Sequence, residues 1–165
     1  MNAGLSIDLI LTVHVAISLV AIAAGLLAMG ELAAGRWRAG PQIVFLLTTL
    51  LTSVTGFLFP FTGITPAFLF GVLSVVGLTV AIVSLPRRST SRAARIAYAV
   101  SATFALYLNL FVLVVQSFQK LPQLQPLAPT QTELPFIVAQ LVLLALAVIL
   151  GLLSSRKPGW GSAPR

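Results

Sequence analysis

Four polar side chains stand inside long apolar segments of this sequence: His14, Asn109, Gln116 and Gln140. A buried amide or imidazole without a hydrogen-bond partner costs free energy, so each of these groups needs a donor or an acceptor nearby. Thr55 joins the candidate set because a neutral imidazole at His14 can bond to a threonine hydroxyl. Such groups either hold helices together or bind a small polar or amphipathic ligand, and a third use is contact with a partner protein.

The residue types that most often do chemistry are scarce in this chain. It has one histidine, no cysteine and three acidic residues, so it lacks two axial haem histidines and the ligand set of a zinc or di-iron site. It has no Walker motif, dinucleotide glycine pattern, HExxH motif or nucleophile elbow. We therefore expect a non-enzymatic protein with no catalytic residues, no metal site and no resident cofactor, and leave a bound quinone or lipid open.

The composition indicates an integral membrane protein. Of the 165 residues, 58% are hydrophobic and 8% are charged, and the mean hydropathy is +1.05; too little polar material remains to coat a soluble globule. A helix needs roughly 20 apolar residues to cross a bilayer. Five segments qualify and predict an all-α, multi-pass integral membrane helix bundle in a single domain. The predicted spans are residues 7–29, 43–60, 66–85, 95–118 and 135–153, with 154–165 as a cytoplasmic tail.

The basic residues predict the orientation of these spans. Nine of the ten lysine and arginine residues fall on one side of the predicted membrane, and only Lys120 lies on the other. By the positive-inside rule, the N-terminus is expected outside and the C-terminus in the cytoplasm. A net charge of +7 also fits nucleic acid, but basic residues beside spans serve topology and face anionic lipid. We therefore expect the lipid bilayer as a partner and no nucleic acid.

Stripes of small residues predict which helix faces meet. Helices in a bilayer associate through close packing of small side chains and through interhelical hydrogen bonds. Residues three or four apart share one helical face. On this basis the residues expected at helix contacts are Ser18, Gly25, Thr52, Gly71 and Ser74. In the fourth span, Asn109 and Gln116 continue the face of Tyr98, Ala102 and Ala105, so both amides are expected to point into the bundle.

The segment "KLPQLQPLAPTQTELP" after the fourth span is rich in proline. Leucines recur there every three residues, the period of polyproline II, so an extended chain is expected. Thr132 is the expected N-cap of the fifth span, with Pro135 in its first turn. The segment is interpreted either as an ordered, lid-like loop or as a plain connector with interfacial leucines.

The basic turn "GRWRAGP", the second-span motif "TSVTGFLF" and the third-span motif "GVLSVVGLTVA" follow a first span that carries His14 and Gly25. This layout resembles small uncharacterised bacterial inner-membrane proteins classed as domains of unknown function. The stretch from "YLNLFVLVVQSFQKLP" to "LAPTQTELPF" also looks like a segment of such proteins. The resemblance covers about half of the chain and implies a bacterial inner-membrane location without a catalytic residue. Those proteins often carry additional histidines that this chain lacks.

Three functional hypotheses follow from these observations. The first is a non-enzymatic membrane protein whose outer-half polar cluster binds a small ligand or a membrane partner. The second is a protomer of a small transporter or channel, which five spans could build only as a homo-oligomer or with another membrane protein. The third is a quinone-binding redox accessory protein with its ligand near His14 and Asn109.

Overall fold

The computed structural model describes residues 7–59 and 66–156. Five α-helices in this part of the chain are long and apolar enough to cross a membrane, which confirms the predicted five-span helical bundle. Two single-turn 3₁₀ helices, Leu85–Arg87 and Gln125–Leu127, lie in the connections. The α-helices are α1 (Ile7–Ala33), α2 (Ala39–Gly56), α3 (Pro66–Ser84), α4 (Arg92–Lys120) and α5 (Leu134–Arg156).

Each helix differs in at least one bound from the predicted spans, by up to four residues: α1 continues to Ala33, and α4 runs from Arg92 to Lys120. Helix α2 begins at Ala39 and ends at Gly56, whereas the expected span was 43–60. Pro41 falls in its first turn, where a missing N–H group costs nothing, so the helix includes it. Helix α5 continues to Arg156, so residues 154–156 belong to the helix and not to a tail. The rest of the predicted tail, 157–165, lies outside the described residues.

Helix α4 occupies the centre of the bundle and contacts the other four helices, while α1 packs along most of α2. The largest fully buried side chains include Tyr98, Phe45 and Met29, which belong to α4, α2 and α1. Helix α5 is the most exposed, because Ser154 is its one buried residue. The apolar core is therefore built by α1, α2 and α4, with α3 and α5 packed on either side.

The five small residues expected at helix contacts all lie between helices. Gly25 is buried, and the rings and methyl groups of Phe45 and Leu106 lie over its backbone. Ser53 donates to the Ser74 hydroxyl at 3.2 Å between α2 and α3. Two further contacts join α1 to α2 and α3 to the end of α2: the Ser18 hydroxyl lies 3.4 Å from Thr52 Oγ1, and Gly71 lies against the ring of Phe57.

The two ends of the bundle differ in charge. Every arginine that the structure describes lies at the end formed by residues 34–38, 85–95 and 156, which we call the basic end. The other end, which contains residues 57–59 and 121–133, is called the loop end. At the basic end Glu31 contacts the guanidinium groups of Arg36 and Arg38 at 2.6 and 3.5 Å.

The loop-end segment 121–133 is folded into turns, so the expectation of an extended polyproline II chain is wrong. The Leu121 carbonyl accepts hydrogen bonds from the backbone N–H groups of Leu124 and Gln125, at 3.0 and 2.9 Å, and these bonds bend the chain back. Ala128, within this segment, is buried. The Gln131 side chain donates to the Val115 carbonyl of α4 at 3.1 Å. The loop is therefore ordered and tied to α4.

The residue that precedes α5 and accepts its first N–H groups is Glu133, not the predicted N-cap Thr132. The Glu133 carbonyl accepts from the N–H groups of Phe136 and Ile137, both at 3.1 Å. Its carboxylate accepts from the Thr130 hydroxyl at 2.8 Å. Partial desolvation raises the pKa of this carboxyl, but the hydrogen bonds from Thr130 and from the backbone outweigh it, so the pKa lies below its ordinary value.

Candidate functional site

The depth of Gln116 in the bundle follows from the contact between α1 and α4. These helices run antiparallel, and Leu106 of α4 packs on Gly25 of α1. All α-helices rise by the same amount per residue. From this contact toward the loop end, Gln116 is as many residues from Leu106 on α4 as Val15 is from Gly25 on α1. Gln116 and Val15 therefore lie at the same depth, to within about one helical turn.

The depth of Gln140 follows in the same way from the contact between α1 and α5. These helices run in the same direction, and the Ser154 hydroxyl of α5 donates to the Met29 carbonyl of α1 at 3.4 Å. Counting back from this contact also places Gln140 level with Val15, beside His14 in depth. Because α1 contacts both α4 and α5, the three helices bring these polar residues into one layer near the loop end, which we call the loop-end polar layer.

His14 is held in this layer by a threonine of α2, Thr55. The imidazole Nδ1 lies 2.9 Å from the Thr55 hydroxyl, and the ring edge contacts Phe59 at a centroid distance of 5.4 Å. The single Thr55 hydroxyl proton is donated to the Leu51 carbonyl at 2.8 Å. The tautomer that carries its proton on Nδ1 satisfies both groups and leaves Nε2 as an acceptor.

Gln116 and Gln140 both bury a side-chain carbonyl oxygen that has no hydrogen-bond partner among residues 7–59 and 66–156. The Gln140 amide nitrogen donates to the Phe111 carbonyl of α4 at 3.3 Å. This bond fixes the orientation of the amide, because only its nitrogen can donate to a carbonyl oxygen. The oxygen of Gln140 without a partner is thus an acceptor, and the Gln116 oxygen as placed in the structure is a second one.

Asn109 does not belong to this layer. It lies seven residues before Gln116, about 10 Å along the axis of α4 toward the basic end. Its amide nitrogen donates to the Thr49 hydroxyl of α2 at 3.1 Å, and Thr49 is completely buried. Asn109 therefore joins α4 to α2, and the structure separates it from the other four predicted ligand-binding residues.

A third polar contact, which was not predicted from the sequence, lies nearer the basic end. The Tyr98 hydroxyl donates to Gln42 Oε1 at 2.6 Å, and Gln42 Nε2 donates to the Ala28 carbonyl at 3.0 Å. Gln42 is 1% exposed although it lies outside the predicted second span. One signal was available: Gln42 precedes Thr49 by two helical turns and thus shares its buried face.

Replacing Tyr98 with phenylalanine is expected to lower the free energy of unfolding by about 1–3 kcal/mol, because Gln42 Oε1 would lose its donor in a dry site. Unfolding in mixed micelles followed by circular dichroism measures this change. Tyr107→Phe is the matched control, because Tyr107 is only partly buried and its hydroxyl has no hydrogen bond among the described residues. Equal effects of the two substitutions would show that the Tyr98–Gln42 bond does not stabilise the bundle.

Two clefts open near the loop end. One, of about 150 Å³, lies between α1 and α2 and has Thr55 in its wall. The other, of about 200 Å³, lies under the 121–133 loop. Neither is lined by Gln116 or Gln140, whose side-chain oxygens are buried. In the described ranges, no group of three His, Cys, Asp or Glu side chains is arranged to hold a metal ion.

Comparisons with known proteins found no relative of this chain. A scan against protein-family models, a search of curated proteins and a search of solved structures each returned no match. The functional interpretation of the loop-end polar layer therefore depends on its geometry.

Proposed function

We propose that this protein is a non-enzymatic, multi-pass protein of the bacterial inner membrane that binds a small amphipathic ligand at the loop-end polar layer. The proposal places the loop end outside the cell and the basic end in the cytoplasm, in accordance with the positive-inside rule. The observation that carries it is the pair of buried carbonyl oxygens, on Gln116 and Gln140, that have no donor.

The ligand is expected to donate hydrogen bonds. A buried amide oxygen without a donor costs about 1–3 kcal/mol, and a bound hydroxyl or N–H group would recover this free energy. A quinone presents only acceptor oxygens, so it would leave Gln116 and Gln140 unsatisfied. A hydroquinone, an alcohol or an amide with an apolar body matches both the oxygens and their apolar surroundings.

The ligand is proposed to enter from the bilayer between α4 and α5. Gln140 and the Phe111 carbonyl that it contacts lie on this boundary. Ser154, at the basic end, is the one buried residue of α5, so most of the α5 side-chain surface already faces lipid. Binding is therefore expected to move α5 more than the core helices.

The direct test compares tetramethylhydroquinone with tetramethylbenzoquinone, two probes of nearly equal shape that differ in their donors. Under anaerobic conditions, the hydroquinone is expected to raise the Tm of the full-length protein saturably, and the quinone is expected to leave it unchanged. Stabilisation by about 2.7 kcal/mol is expected when the free probe reaches about 100 times its Kd.

Two variants assign the effect to the layer. Gln116→Leu combined with Gln140→Leu should abolish the response to the hydroquinone. Gln119→Leu, which alters an exposed amide on the same helix, should retain it. The proposal is wrong if both probes stabilise the protein equally, if neither does, or if the double variant responds as the original protein does.

A further inference from the structure

At the basic end, several arginines have no carboxylate partner among the residues that the structure describes. Glu31 is the one acidic residue described at this end, and it already contacts Arg36 and Arg38. Within the described part of the chain, the other arginines of this end have no carboxylate within 4.0 Å. These are Arg87, Arg88, Arg92, Arg95 and Arg156. This end of the bundle therefore has an excess of positive charge that calls for an anionic partner.

One of these arginines is held in place by the core. The Arg88 guanidinium lies over the Trp37 ring, 4.0 Å from the ring centroid, and donates to the Leu85 carbonyl at 3.0 Å. Trp37 packs in turn against Tyr98, with ring centroids 5.7 Å apart, and Tyr98 is completely buried. Arg88 is thus preorganised by a stack that reaches the centre of the bundle.

A second arginine has a buried donor without an acceptor. The Nε atom of Arg95 is buried and has no hydrogen-bond partner. Arg95 lies in the first turns of α4, one turn before Tyr98, and shares a helical face with Arg92 three residues earlier. A buried guanidinium donor is costly to leave unpaired, so an acceptor is required at this position.

We propose that Arg88, Arg92 and Arg95 form a binding site for the phosphate group of an anionic phospholipid. A phosphate offers several strong acceptors, and the planar guanidinium binds it through paired hydrogen bonds. Apolar residues beside the site favour a lipid over free phosphate: Ile82 and Val83 of α3 and Val100 of α4 are exposed and provide surface for acyl chains. This site is separate from the loop-end polar layer, so the failure of either proposal leaves the other unaffected.

Trp37 provides a fluorescent reporter inside the site. The chain has two tryptophans, so a Trp160→Phe background leaves Trp37 alone. The full-length protein is placed in phosphatidylcholine nanodiscs that contain increasing fractions of phosphatidylglycerol with brominated acyl chains, which quench tryptophan on contact. Brominated phosphatidylcholine is the reference for chain contact without an anionic headgroup. Half-maximal quenching by the anionic lipid is expected at a fraction about tenfold lower than that needed for brominated phosphatidylcholine. This difference is equivalent to about 1.4 kcal/mol.

Matched variants separate a built site from general charge attraction. Arg95→Gln is expected to reduce the preference for the anionic lipid to within about twofold, since the loss of one charged hydrogen bond is enough to remove a tenfold preference. Arg87→Gln removes the same charge from an exposed position and should keep the preference. Arg95→Lys keeps the charge but lacks the Nε donor, and it should also lose most of the preference. It serves as the test if Arg95→Gln fails to fold by circular dichroism.

Three results would overturn the proposal. Equal losses in Arg87→Gln and Arg95→Gln would show diffuse electrostatic attraction. Full preference in Arg95→Lys would show that the buried Nε atom has no part in binding. Relief of quenching by added inorganic phosphate would identify a site for free phosphate and not for a lipid headgroup.

Discussion

Replacing Gly25 with valine is expected to lower the free energy of unfolding by about 3 kcal/mol, the upper part of the range for overpacking a well-packed core. Even a Cβ atom at this position would lie 2.7 Å from Leu106 Cδ1 and 2.8 Å from Phe45 Cδ2. Both of those side chains are buried, with exposed fractions of 1% and 0%, so neither can move aside freely. The close approach of α1 to α2 and α4 requires a glycine here.

Gly30 provides the control for this substitution. It lies in the same helix, and a Cβ atom added there would meet nothing within 4 Å. Gly30→Val is therefore expected to change the free energy of unfolding by no more than about 0.5 kcal/mol, as is usual for surface substitutions. Denaturant unfolding of both variants, followed by circular dichroism, makes the comparison. If Gly25→Val proved as stable as Gly30→Val, the packing of the three core helices described here would be incorrect.

Replacing Gln116 with leucine is expected, in contrast to Gly25→Val, to raise the free energy of unfolding. The expected gain for the ligand-free protein is about 1–3 kcal/mol. The substitution removes a buried carbonyl oxygen that has no partner, and leucine fills a similar volume without a polar group. Gln119→Leu, on the exposed side of the same helix, should change stability by no more than about 0.5 kcal/mol.

The expected gain in stability matters for function. A buried group that destabilises the ligand-free fold is typical of binding sites, where stability is lost in favour of activity. Gln116→Leu should therefore give a more stable protein that no longer responds to the hydroquinone. A clear loss of stability would mean instead that the Gln116 amide has partners in the folded protein, and the donor-deficient layer would not exist.

The helices were predictable because each signal lies within one segment. Long apolar runs identified the spans, and spacing on one helix identified faces such as that of Asn109 and Gln116. Hydrogen-bond partners were not predictable, because they depend on how neighbouring helices align in depth. Asn109 and Gln116 share a face of α4, yet Asn109 meets Thr49 of α2 while the Gln116 oxygen meets no donor. A single sequence does not specify that alignment.

The loop after α4 illustrates a different limit. Its prolines and evenly spaced leucines indicated an extended chain, but backbone hydrogen bonds from Leu124 and Gln125 to Leu121 fold it into turns. Gln42 was missed for a related reason, because the apolar run that predicted the second span begins after it. Both errors arise at the ends of spans, where polar residues find partners in neighbouring segments.

Native mass spectrometry of the full-length protein, released gently from its own cell membranes, gives the most direct test of ligand binding at the loop-end polar layer. The original protein is expected to retain a small molecule that carries hydroxyl or N–H donors, and Gln119→Leu should retain it as well. The Gln116→Leu, Gln140→Leu double variant is expected to carry none. An original protein without a bound molecule, or a double variant that retains it to the same extent, would contradict this function.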